Sequence, residues 1–279
     1  MKLLRVGPEG QEKPAMLDAH GVLRDLGPLV HDITPATLSD RSLDQIRAHD
    51  LGQLPRLDPD LRIGPCVGEI GKVICIGLNY SDHAEETGLP IPKEPILFGK
   101  ATSAICGPND DVQLPRGAKA LDWEIELAIV IGTEARYVSE EHAMNHVAGY
   151  AVFNDVSERH FQTEREGQWI KGKSHDTFGP LGPWLVTRDE IDPSNLALEL
   201  KVNGETRQKG STANFIFSIP KIVSYVSQFM SLQPGDIIPT GTPAGVGMGM
   251  KPPVYLQPGD VMELEIEGLG RQRQRVVSA

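Results

Sequence analysis

Little in this chain ties it to an oxidising compartment, a membrane or a nucleic acid. Its 279 residues include only three cysteines, Cys66, Cys75 and Cys106, an odd number outside any CxxC spacing. Neither a disulfide framework nor a thiolate zinc site fits that pattern, so the three read as small core residues. No window approaches the ~18 apolar residues of a membrane span, and the opening MKLLRVGPEGQ has too short an apolar stretch for a secretory signal. No run of Lys or Arg offsets the net charge of −11, so a nucleic-acid backbone is repelled. The expectation is a cytoplasmic protein with a small-molecule partner, no nucleic acid and no membrane.

Turn-forming residues, by contrast, are plentiful: 29 glycines and 22 prolines predict many tight turns and hence many strands. At ~150 residues per domain the length suits two domains. Residues 1–66, with MKLLRV, PAMLDA and GVLRDL between Gly-Pro, Thr-Pro and Asp-Pro pairs, read as a small β-rich N-terminal domain; residues 67–279 read as the second. There, strand candidates (DWEIELAIVIG, AGYAVFND, LALELKVNGE, DIIPTG, DVMELEIEG) outnumber two helices. The first helix is SEEHAMNHVAGY, with Ser139 as its cap and Glu140 and Glu141 in its positive first turn. The second is SIPKIVSYVSQFMSL, capped by Ser218, with Ile222, Val223, Val226, Phe229 and Met230 on one face. LQPGD occurs at 232–236 and again at 256–260, each time before a strand, as a turn motif rather than a repeat. The fold class is therefore mainly β with a few helices (α+β).

Two glycine-rich segments invite a phosphate-binding reading. Gly167–Ser174 is GQWIKGKS, a literal GxxxxGKS, but a charged segment precedes it and HDTFGPLGP follows, where a phosphate loop needs a buried strand and then a helix. GTPAGVGMG at 241–249 lacks the GxGxxG spacing and no helix pattern follows it.

The chemistry lies elsewhere. On a strand, Glu124 and Glu126 of DWEIELAIVIG share one face, while both faces become apolar within two residues. Two carboxylates next to a part that must be buried cost several kcal/mol unless a cation compensates them. Asp155, which ends the apolar run AGYAVFND, can join them from a neighbouring strand. Three hard oxygen donors without Cys or clustered His favour Mg²⁺, Mn²⁺ or Ca²⁺ over zinc. In GLNYSDHAEETG, His83 stands three residues before Glu86, so one helical turn sets them side by side in the outline of a general-base pair; Glu85 is a rival partner.

The order GLNYSDHAEE, EPILFGKATSAICGP, DWEIELAIVIG, GYAVFNDVSER, KGKSHDTFGPLGPW, LKVNGETRQKGST and DIIPTGTPAGVG resembles the fumarylacetoacetate hydrolase family over roughly residues 70–270. The resemblance implies a mixed β-sandwich roll, usually a homodimer, and, with the short N-terminal domain, the bacterial members that act on acylpyruvates and 2,4-diketo-3-deoxy sugar acids. It implies Mg²⁺ or Mn²⁺ on Glu124, Glu126 and Asp155, a catalytic pair of His83 with Glu86 rather than Glu85, and a catalytic lysine at Lys173. It also implies substrate contacts at Tyr80, Arg159, Gln162 and Thr242. His175 departs from the Phe of many relatives, Pro239 precedes the TGTP turn, and a fourth metal carboxylate of the larger fumarylacetoacetases has no counterpart here, so fumarylacetoacetate is not the expected substrate. The expected reaction is metal-dependent C–C hydrolysis of a 2,4-diketo acid, of the rhamnonate or fuconate type, to pyruvate and a carboxylic acid. An oxaloacetate-type decarboxylase, an isomerase or a ureidoglycolate lyase would use the same metal-enolate site, and a metal-dependent binding protein would need no base.

Overall fold

The computed structural model describes residues 1–87 and 90–279; the side chains of His83, Ala84 and Thr87 also lie outside the described residues. The protein is mainly β, built around two sheets with short helices at their edges. In the larger sheet the strands run in the order Leu23–Asp25, Lys13–Leu17, Lys2–Val6, Gly179–Thr187, Val147–Asn154, Ile125–Ile131, Ile237–Pro239, Val73–Gly77 and Ile96–Lys100. The smaller sheet orders Glu205–Ser211, Ala197–Val202, Val261–Ile266, Gly270–Ser278 and Val112–Leu114. Both are mixed: Ile237 pairs with Val73, and Val276 with Val112, in parallel, while most other pairs are antiparallel.

Ile125–Ile131 lies at the centre, and its alternation divides two cores. Trp123, Ile125, Leu127, Ile129 and Ile131 join the cluster that includes Leu200, Met262, Leu264 and Ile266 of the smaller sheet. Ala128 and Val130 face the opposite cluster, where Leu3, Ile33, Leu43 and Ile46 of the N-terminal segment cover the sheet. That segment is joined to the rest through Lys2–Val6, which pairs with Gly179–Thr187 at Lys2↔Val186 and Leu3↔Leu185. Cys66 and Cys75 are buried in the same cluster, and Cys106 is half-buried. Among the described residues no helix is long and apolar enough to cross a membrane.

The LQPGD copies fold alike. Gln233 and Gln257 each donate their backbone N–H to the carboxylate three residues on, both at 2.7 Å, and Gly235 and Gly259 take φ of +83° and +99°. The helix expected from Ser139 is cut to one turn, Glu140–Ala143, without a side-chain cap bond. The residues from Val147 onward instead form the strand Val147–Asn154, where two neighbouring strands offer pairing that outweighs local helix preference. Helix Ile219–Val226 keeps its Ser218 cap and buries Ile222, Val223 and Val226, but it ends before Phe229, which is 62% exposed.

Candidate active site

Strand pairing brings the acidic groups together. Phe153 pairs with Glu126 and Asn154 with Ile125, and the Asp155 N–H donates to the Glu124 carbonyl at 2.9 Å. The chain end of one strand thus lies against the entry of its neighbour, and one carboxylate oxygen from each of Glu124, Glu126 and Asp155 falls within 4.8 Å of the others, all three residues buried.

Three cations offset this charge. Lys173 Nζ bridges Glu124 at 2.6 Å and Asp155 at 2.8 Å. Arg159 pairs with Glu124 at 2.6 Å and with Asp122 at 2.8 Å, and donates to Gln162 at 3.0 Å. Lys100 Nζ lies 2.8 Å from Asp155 Oδ1, off the hydrogen-bonding direction, and donates to the carbonyls of Val156, Lys173 and Phe178. With Asp122 counted, four carboxylates face three cations, leaving one negative charge in excess. The excess falls on Glu126, for which no ion pair is found among the described residues; its Oε2 accepts the Gly241 N–H at 2.8 Å.

The two glutamates therefore titrate in opposite directions. Burial alone would raise the Glu124 carboxyl, but the charges of Arg159 and Lys173 outweigh it and hold the group down to about 2. Burial pushes Glu126 well up, and repulsion from Asp155 and Glu124 adds to it. Glu124 thus contributes stability above the unfolded carboxylate range that is lost as pH falls toward 2. Glu126, with its folded value raised, subtracts stability as pH climbs past the unfolded value near 4.5. The Glu126→Gln variant is expected to melt a few degrees higher than the parent in chelator at pH 8 and to level with it near pH 4.5. Thermal melts across pH check this, and a lower melting temperature at pH 8 would overturn it. The donor set itself, three buried carboxylates of which Glu126 meets no cation among the described residues, fits a hard divalent cation.

The glycine-rich segment 241–249, which lacks the spacing of a phosphate-binding loop, turns its amides toward the protein's own carboxylates. Gly241 N–H goes to Glu126, Gly245 N–H to Glu86 at 2.9 Å, and Gly247 and Met248 N–H to Asp122 at 2.7 and 3.1 Å. GQWIKGKS forms the short helix Ile170–Lys173, whose last residue carries its ammonium into the acidic cluster. His83 stands in helix Ser81–Thr87, but its side chain lies outside the described residues.

Above the acidic cluster lies a cavity of about 660 Å³, lined in part by Glu124, Glu126, Arg159, Gln162, Lys173 and Thr242. Thr242 Oγ1 donates to the Ile125 carbonyl at 2.9 Å and accepts from Gln208 at 2.7 Å. Tyr80 is fully buried edge-on against Phe215, with ring centroids 4.9 Å apart, and is not among the lining residues. His175 sits between the rings of Phe161 and Phe178 at 5.7 and 5.3 Å, outside that lining. Two residues of the cluster escaped the sequence reading. Asp122 stands two before Glu124 and so continues the i, i+2 carboxylate series; Lys100 ends the apolar run ILFGK, a position where a charge demands a partner.

The profile of the Fumarylacetoacetate (FAA) hydrolase C-terminal family matches residues 72–277. A Burkholderia cenocepacia protein whose name gives only a general hydrolase class is 56% identical over 281 residues, covering 100% of both chains. The solved fumarylacetoacetate hydrolase of Exiguobacterium antarcticum is 41% identical with a TM-score of 0.89, again over 100% of both chains. A 5-carboxymethyl-2-hydroxymuconate delta-isomerase from Mycobacterium smegmatis is 34% identical (TM-score 0.78, 100% of this chain and 99% of that one). A maleylpyruvate hydrolase from Sphingobium is 30% identical (TM-score 0.83, 100% of both).

Proposed function

The chain belongs to the fumarylacetoacetate hydrolase family, and on that premise we propose that it cleaves the C3–C4 bond of a 2,4-dioxo acid by hydrolysis, with Mg²⁺ or Mn²⁺ held by Glu124, Glu126 and Asp155. The observation that carries this reading is the buried cluster of Glu124, Glu126 and Asp155, whose two glutamates line the cavity. A general hydrolase name on a relative at 56% identity favours hydrolysis over the isomerisation named for the structure at 34%.

When bound, the ion supplies a Lewis acid for the carboxylate and 2-oxo oxygens of such a substrate. The protein's own groups do the rest. Lys173 and Arg159 line the cavity beside the acidic cluster and lower the barrier to admitting an anion. His83 takes a proton from water, whose oxygen bonds to C4; the C3–C4 pair stays on C3, which takes up the proton that His83 carries and so restores the base. One water is consumed, and pyruvate and a carboxylic acid leave. Glu86 accepts the Gly245 N–H, so the helix bearing His83 is fastened to the same loop that holds Glu126 through Gly241. Base and acidic floor are thereby referenced to one backbone segment.

The test is an acylpyruvate with Mg²⁺, followed by loss of the enol-diketone absorbance and release of pyruvate. Pyruvate without CO₂ supports hydrolysis, CO₂ means decarboxylation, and an absorbance change without pyruvate means isomerisation. His83→Ala is expected to lower kcat by ~10² to 10⁴ while metal binding persists; an unchanged kcat rules out the base role.

A further inference from the structure

The cavity has a strongly divided chemistry. Its charged side chains gather at the buried floor, and most of them are committed to one another: Arg159 to Asp122, Glu124 and Gln162, and Lys173 to Glu124 and Asp155. The walls rising from that floor include Ile76, Leu78, Ile96, Phe98, Trp169 and Met248. Phe98 and Trp169 meet edge to face, with ring centroids 5.1 Å apart, and make one continuous apolar surface. Of the polar side chains on the walls, the Thr163 hydroxyl is already donated to the Arg159 carbonyl at 2.9 Å, and Lys93 is an exposed cation at the mouth.

A chain carrying several hydroxyls would lose water in this space and find few partners among the described residues. Each buried hydroxyl left unpaired is expected to cost about fivefold or more in affinity. A methylene entering the same space gains about fourfold. Resting on the dioxo-acid reading above, we infer that the acyl group of the substrate is apolar, an alkyl or aryl group seated against Phe98, Trp169 and Ile96, rather than the hydroxylated chain of a sugar acid. The floor recognises the dioxo-acid head that all such substrates share; the wall selects among their tails. This departs from the rhamnonate- or fuconate-type substrate expected from the resemblance.

The experiment measures kcat/KM with Mg²⁺ for acetylpyruvate, butanoylpyruvate, hexanoylpyruvate and a trihydroxylated 2,4-diketo-3-deoxy acid of similar length. The expected result is a rise of about fourfold per methylene along the alkyl series until the wall is covered, with the hydroxylated acid at least tenfold below hexanoylpyruvate. Ile96→Ser is expected to flatten the rise. A flat alkyl series, or a hydroxylated acid turned over as well as hexanoylpyruvate, overturns the inference while leaving the hydrolase reading intact. Turnover of none of the four overturns the hydrolase reading. The tail is then decided separately by competition binding of pyruvate and 2-oxooctanoate, read through protein fluorescence: tighter binding of 2-oxooctanoate supports the apolar wall, and equal binding refutes it.

Discussion

The Asp155→Asn protein is expected to lose at least ~10³-fold in turnover and, with it, any rise in melting temperature on adding Mg²⁺ or Mn²⁺. Asp155 is fully buried and faces two ammonium groups, Lys100 and Lys173, as well as the two glutamates. Removing its charge leaves two carboxylates where three were arranged and turns the excess of the cluster from negative to neutral, so the attraction for a divalent ion falls away. Asparagine is the informative replacement because it keeps the volume and an oxygen acceptor. Alanine would remove, besides the charge, the oxygen that accepts from Lys173 and would leave a void, at a further cost of about 1 to 3 kcal/mol, and would confuse folding with chemistry. Calorimetric titration of the ion and melts with and without it separate the two effects: an ion at 100 times its Kd should add about 2.7 kcal/mol to the parent and nothing to the variant. Full turnover in this variant, in the presence of chelator, would sink the assignment of the metal site.

Gly245→Ala is expected to be the most damaging glycine-to-alanine change among the described residues, with a loss of about 4 kcal/mol or more. A Cβ there would sit 1.9 Å from the Arg207 carbonyl oxygen, and φ is +105°. That oxygen is backbone within the Glu205–Ser211 strand, so it cannot rotate aside. Gly245 also donates to Glu86 and accepts from Trp123 Nε1 at 3.0 Å, which couples the loop to both sides of the site. Gly259→Ala is the control: φ there is +99°, but nothing lies within 4 Å, so only backbone strain of about 1 to 2 kcal/mol is at stake. Denaturant melts of the two variants should differ clearly; equal losses would show that the close approach at Gly245 is relieved by movement.

Local pattern carried the reading furthest where a short-range rule has one outcome. The alternation in DWEIELAIVIG follows from the period of a strand, and the two faces do bury in two different cores. LQPGD makes the same turn twice because the Asp carboxylate and the glycine act within five residues. The same local rules misjudged SEEHAMNHVAGY and Phe229, since the end of each helix was decided by a competing strand or by the limit of the packed face.

For the site, residue type and spacing were enough to single out Glu124, Glu126 and Asp155, because apolar neighbours make a carboxylate's burial visible in one dimension. Which cation meets which carboxylate was not visible. Lys100, Arg159 and Lys173 come from three separate segments, and their pairing depends on distances that only the folded sheet sets. The role of the glycine-rich loop was hidden for the same reason: backbone amides have no letter in a sequence, and their targets Glu86, Asp122 and Glu126 are more than 100 residues away along the chain. The amino-acid order by itself thus determined the strand-rich class and the acidic character of the centre, both consequences of nearest-neighbour chemistry. Tertiary structure alone decided the charge balance of that centre and the apolar wall above it, because those arise from groups brought together across the fold.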